Sequence, residues 1–327
     1  MDSRGGKITL ALVVACVLLG GGYVVYAALG PSQTTTDASP TAGRAPADAA
    51  VMVRAVDPAN PALNGGVFVV EDGKVRRRSK DLACERVYYA AGRGICMGVA
   101  ASGVDYTASV FDADFETVHT TRLTGLPSRA RVSADGRFGA MTVFVAGDAY
   151  LESSTAFSTR TYVLDMKSGE TLGQLEQFSV SRDGKPFDAV DFNFWGITFD
   201  PSDSDHFYAT LATGDHHYLV EGSVASRSLR VLRDGVECPS LSPDGRRIAY
   251  KSRIEGTNRW RLHVLDVATL GDHPVAEERS IDDQPEWLDD ATLVYSDGTD
   301  VYTVPADGSG EAGLLVADAT SPVALRN

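Results

Sequence analysis

The sequence predicts an all-β fold: a six-bladed β-propeller whose first and last strands share one composite blade. Three observations predict it. From Val51 onward the chain runs in short alternations of polar and apolar residues broken by Gly, Asp, Asn and Pro, with no long amphipathic helix. One hairpin pattern, fullest at residues 237–250 (ECPSLSPDGRRIAY), recurs at the spacing of a propeller blade. The strands left over at the two ends add up to one further blade.

The chain of 327 residues opens with a seven-residue tail, MDSRGGK, carrying Arg4 and Lys7. Residues 8–29 then contain no charge. A helix of that length spans roughly 33 Å, against a hydrocarbon core of about 30 Å. The positive residues precede it, so the tail is expected in the cytoplasm and the rest across the membrane. A cleaved signal peptide is the alternative, with Val25-Tyr26-Ala27 as the cleavage site, although the apolar run exceeds the usual h-region of about 7–15 residues. A lipoprotein site at Cys16 would leave an apolar stretch on the mature end and fits poorly. All three readings put the bulk of the chain outside the cytoplasm. Residues 30–50 hold Pro, Thr and Ala but no aromatic or large aliphatic side chain, and read as a flexible linker. The propeller is expected over 51–327.

Within it, hairpin turns fall near Gly92, Gly136, Asp203, Gly245 and Ala291, at spacings of 44, 67, 42 and 46 residues. A unit of about 40–45 residues with four strands is a blade. In the fullest copy, Pro243 sets the early φ of the turn, Asp244 caps local N–H groups and Gly245 takes φ > 0. Before Cys84 there is room for three strands only, at 51–56, 66–71 and 74–78, and one remains at 321–325. Pairing the ends closes a six-bladed ring and removes its exposed edges. The spacing of 67 marks a swollen third blade with insertions at 145–159 and 170–194. Both are expected on one face, beside the mouth of the central channel, where long loops on a rigid scaffold usually bind.

The net charge of −14 argues against sequence-independent nucleic-acid binding, and against docking of the folded part on anionic lipid. Of the four cysteines, Cys84 and Cys96 lie across a predicted hairpin and are expected to pair as a disulfide in an oxidising compartment, leaving Cys238 free and buried; three free core thiols are the alternative. Asp188, Asp191, Trp195, Glu237, Asp282, Asp283 and Glu286 stand at the starts of inner strands on the insertion face. A mouth lined with those carboxylates would favour a cationic peptide or sugar amine, while the same groups also serve as turn caps. The histidines have no ligand-like spacing, and adjacent His216 and His217 point to opposite faces of a strand, so neither metal nor cofactor is expected. There is no G-x-S-x-G nucleophile elbow.

Around Ser242-Pro-Asp-Gly, and in the segments at 194–199, 207–211 and 287–290, the sequence resembles the WD40-like repeats of TolB-type propellers, in particular the membrane-anchored type of high-GC Gram-positive bacteria. The full S-P-D-G occurs once, with Ser-Ala-Asp-Gly in blade three. The resemblance implies a six-bladed propeller engaged in cell-envelope protein interactions. The expectation is therefore a non-enzymatic binding or scaffold module, tethered to the cell membrane and recognising an envelope protein, peptide or glycan. The alternative is a propeller hydrolase or lyase using carboxylates at the channel mouth.

Overall fold

The computed structural model describes residues 50–57, 64–145 and 158–326. The tail, the segment expected to span the membrane (8–29) and all of the linker but its last residue lie outside the described residues, as do residues 146–157 of the first insertion. No helix of the described residues is long and apolar enough to cross a membrane.

Six sheets stand around a central channel, antiparallel except at one strand pair in blade four. The composite blade one takes β1 (Ala50–Ala55), β2 (Gly66–Glu71) and β3 (Lys74–Ala83) from the start of the chain. Blade two is β4 (Arg86–Ala90), β5 (Arg93–Val99), β6 (Tyr106–Asp112) and β7 (Thr117–Leu123). Blade three is β8 (Leu126–Val132), β9 (Phe138–Val145), β10 (Ser158–Asp165) and the short β11 (Thr171–Gln174). Two further strands, β12 (Ser179–Arg182) and β13 (Lys185–Pro186), precede blade four, which is β14 (Asn193–Phe199), β15 (His206–Thr213), β16 (His216–Ser223) and β17 (Ser228–Asp234). Blade five is β18 (Glu237–Leu241), β19 (Arg247–Arg253), β20 (Trp260–Asp266) and β21 (Asp272–Pro274). Blade six is β22 (Glu286–Trp287), β23 (Thr292–Asp297), β24 (Asp300–Pro305) and β25 (Gly313–Val316), and β26 (Ala319–Ala324) returns to blade one.

The order β26-β1-β2-β3 makes the last strand the innermost strand of the first blade. Met52 faces Val323 and Arg54 faces Thr320, and Leu325 N–H donates to Ala50 O at 2.9 Å. There is no single core. Each pair of neighbouring blades encloses its own apolar layer, because strands buried on both faces alternate between one neighbour and the other. Phe207 and Leu211 of β15 pack toward blade three, whereas Tyr208 packs toward blade five. Val53 and Phe68 meet blade six, while Met52 and Val67 meet blade two.

The hairpin turn that counts the repeats also fastens blade to blade. Gly245 takes φ +70°, and Asp244 accepts from Ser242 Oγ and from Arg246 N–H. Its own N–H reaches Asp290 of blade six at 2.9 Å. In blade three Asp135 occupies the equivalent place and accepts from Ser204 of blade four at 2.8 Å. A disulfide joins Cys84, between β3 and β4, to Cys96 on β5, with Cα atoms 5.3 Å apart. Cys238 is free and buried.

The second insertion departs from expectation. It does not remain a loop over the channel. After β11 the chain makes a 3-10 turn at Leu175–Gln177, and β12 then pairs in parallel with β17, so that blade four becomes a six-stranded sheet with β13 at its outer edge. Apolar residues drive this: Leu175, Phe178 and Val180 are buried between blades three and four, with Phe187 and Phe192 against them. Glu176 is held at the base, its carboxylate accepting from Thr161 N–H at 3.0 Å, and burial pushes it up to about 7.

Ending the chain at Asp318 removes β26, including buried Val323 and Ala324. At about 2–4 °C per kcal/mol for a domain of this size, the loss of several kcal/mol should lower Tm by ~10 °C or more. An unchanged midpoint in differential scanning calorimetry would show that the ring does not depend on this closure.

Candidate functional site at the channel mouth

The inner strands β26, β4, β8, β14, β18 and β22 line the channel and all begin on the same face, called here the mouth face; the hairpin turns lie on the other. Three inner strands carry a left-handed residue at a bulge: Gly196 (φ +66°), Cys238 (φ +52°) and Ser321 (φ +51°). Such bulges re-aim the groups that follow. Carbonyls of Ile197 and Pro239 receive the Gln284 side-chain amide at 3.3 and 2.7 Å. The bulges of blades four and five abut so closely that a Cβ on Gly196 would meet Cys238 Cα at 2.9 Å, so glycine is required there on two counts.

The predicted acidic residues do not form an open acidic ring. Glu286 is buried and forms an ion pair with Arg131 of β8, the two side chains being 5% and 6% exposed. It also accepts from Tyr88 Oη at 3.1 Å and from Arg326 at 2.9 Å. Arg131 further donates to Ser240 Oγ at 3.2 Å, so one guanidinium ties blade three to blades five and six across the channel. Burial, and next the charge of Glu286, raise the Tyr88 pKa, which keeps its hydroxyl a donor.

Glu237 is buried as well. It accepts from Trp260 Nε1 at 2.9 Å, lies 3.2 Å from His217 Nδ1 and 3.5 Å from Lys251 Nζ. Burial alone would raise its pKa, but His217, Lys251 and Trp260 outweigh that and hold it at about 2. Lys251 also pairs with Asp282, which is otherwise exposed, and sits 4.4 Å over the Trp260 ring. Trp195 is 6% exposed and meets His217 edge-on, so it is wall rather than platform. Asp191 caps the β15–β16 turn, accepting from Thr213 Oγ1 at 2.6 Å and Gly214 N–H at 2.7 Å. Asp188 is exposed on the segment leading back into β14. Asp283 alone among the inner carboxylates has a loose partner, Arg129 at 4.0 Å.

The cations were the missed half of the site. Arg86, Arg129, Arg131, Lys251 and Arg326 were not singled out, although Arg86 and Arg131 sit in inner strands as Glu237 and Glu286 do. That alignment of hairpins was the available signal. A small, partly open cavity of about 40 Å³ lies at the mouth between blades one, two, three and six, lined by Arg86, Tyr88, Arg129, Arg131, Asp283 and Glu286 among others. A larger groove of about 530 Å³ runs along the outer strands of blade four, past Ser179, Ser181, His206, Glu221 and Arg230. There His206 lies 3.8 Å from Glu221 and 3.6 Å from Asp200, and Glu221 accepts from Arg230 at 2.7 Å, so these ionic groups satisfy one another. Among the described residues no group of three or more His, Cys, Asp or Glu could hold a metal ion. His216 and His217 instead reach separate carboxylates, Asp234 and Glu237.

No protein-family model matches the sequence, and no curated protein matches it significantly. Among solved structures it is similar to TolB from Acinetobacter baumannii, at 16% identity and a TM-score of 0.62, over 85% of this chain and 67% of that one. The fold is a TolB-like six-bladed propeller. The β-propeller domain of the Trilobed protease from Pyrococcus furiosus matches at 14% identity and a TM-score of 0.47, over 76% of this chain and 72% of that one.

Two predictions follow from the buried charges. Glu286→Leu strands Arg131 in the interior and should cost about 3–5 kcal/mol in denaturant unfolding, whereas adding Arg131→Met should recover most of it. Equal losses for single and double variants would show that the pair is not the unit. The second concerns pH. Because the folded Glu237 carboxyl is held at about 2, below its ordinary value of 4.5, its contribution is complete above about pH 5 and is lost as pH falls toward 2. The stability gap between the native protein and Glu237→Gln, on the order of 3 kcal/mol at neutral pH, should close over that window. A gap independent of pH between 5 and 2 would contradict it.

Proposed function

We propose that the propeller is a binding or scaffold module, tethered to the cell membrane through residues 8–29 and held on its extracytoplasmic side, and that its mouth face engages an envelope protein, peptide or glycan. The observation that carries this is that the base of the first insertion and the return segment of the second meet on that face. Thr159, at the base of the first insertion, bonds Asn193 at the start of β14, its N–H donating at 2.7 Å. The return segment beside it exposes Asp188 and Val190, the latter 78% exposed. The bulged inner strands open onto the same face. The TolB-like fold supports a binding role rather than a particular chemistry.

The hydrolase or lyase reading would require a pair of carboxylates free to exchange protons at a substrate. Glu237 and Glu286, the two deepest, are each committed to cations and to a Trp or Tyr donor. This favours the binder.

Photo-crosslinking in intact cells tests the proposal. A crosslinker placed at Asp188, Val190 or Asp282 should capture a common envelope component. The same group at Asp203 or Asp289, on the turn face, should not. Capture from the turn face only would reverse the assignment.

A further inference from the structure

We propose that the channel mouth holds a single carboxylate group, bound between the guanidinium groups of Arg86 and Arg129. This rests on the mouth face being the binding face and names the chemistry it selects, which is opposite in sign to what the net charge of the chain suggests.

The argument is one of unbalanced charge in a confined space. Around the channel each other cation has a close carboxylate: Arg54 pairs with Glu85 at 3.1 Å, Arg131 and Arg326 share Glu286, and Lys251 has both Glu237 and Asp282. Arg86 and Arg129 have only Asp283 between them, and that lies 4.0 Å from Arg129. Among the described residues Arg86 makes no ion pair; its Nε donates to Ser128 O at 2.7 Å. Arg129 donates from Nη1 to Ser128 O at 2.9 Å, and its Nε is buried with no hydrogen-bond partner. A buried donor left open costs about 1–3 kcal/mol, and more when charged. Burial lowers the pKa of Arg86, with Asp283 opposing it and the Arg129 and Arg54 charges adding to it, whereas at Arg129 burial is outweighed by Cys238, Asp283 and Asp282, which raise the pKa.

These groups line a small, partly open cavity of about 40 Å³ together with the carboxylates of Asp283 and Glu286, enough on this measure to admit a small group, since about 10–15 Å³ holds one water. One positive charge is in surplus, which matches a carboxylate better than a phosphate carrying up to two. Guanidinium forks are shaped for carboxylate oxygens. A free carboxylic acid and the terminus of a peptide would present the same group.

The test uses the full-length protein in detergent with two probes. Sodium acetate, compared with sodium chloride at equal ionic strength, should raise Tm through preferential binding to the folded state. N-acetyl-triglycine with a free terminus should do so and its terminal amide should not. Arg129→Gln and Arg86→Gln should weaken the apparent affinity at least tenfold, while Arg230→Gln on blade four should leave it unchanged. If either channel variant fails to fold, Arg129→Lys retains the charge without the fork and should bind about tenfold more weakly. A response to acetate but not to the peptide would assign the site to small carboxylates, and a stronger response to the peptide would assign it to a chain terminus; both support the proposal. Equal Tm in acetate and chloride, or equal shifts in the native protein and Arg129→Gln, would overturn it. Neither result would alter the face from which crosslinks form, so the broader proposal stands or falls separately.

Discussion

The ladder between β26 and β1 is the constraint on which the rest of the molecule depends. Each apolar layer lies between two blades, so a layer exists only while both neighbours are in place. An open ring would expose the facing surfaces of blades one and six together with two sheet edges. Closing it by pairing strands from opposite ends of the chain turns six local hairpin stacks into one cooperative body, at the cost of a contact that spans nearly the whole sequence. The Cys84–Cys96 disulfide reinforces the neighbouring seam, between blade one and blade two.

Closure also creates the channel, and the channel dictates its own electrostatics. Six inner strands meet in a confined space where buried charges are poorly solvated. Ionisable groups placed there must find one another across the ring. Arg131 does so by reaching Glu286, Ser240 and the carbonyl of Ile197 from a different blade. Such pairs specify the arrangement of blades more than they raise its stability, because the cost of desolvating both charges is comparable to the attraction between them.

The repeat was legible because blade geometry is written locally: a turn needs Gly at φ > 0 and Asp as a cap, and strands need alternation. Gly136 and Gly245 are readable for that reason, and the three-plus-one arithmetic at the ends follows from counting. The site was less legible. Glu237 and Glu286 stand at the starts of inner strands and Asp191 just before one, but Glu286 is paired with a cation 155 residues away, and no local pattern reveals that it meets Arg131. A net charge of −14 averages over the surface and says nothing about a mouth holding Arg86 and Arg129. The second insertion was misread for a similar reason. Leu175, Phe178 and Val180 look like an irregular loop until the open edge of β17 is there to receive them.

The chain passes into the propeller at Ala50, directly into a strand flanked on both sides. β26 pairs along one edge of β1 and β2 along the other. A pull applied along the incoming chain is therefore shared by two ladders at once, and withdrawing β1 would have to break both. A propeller entered through an outermost strand could be unzipped one hydrogen bond at a time; this one carries its mechanical load through the interior of a sheet.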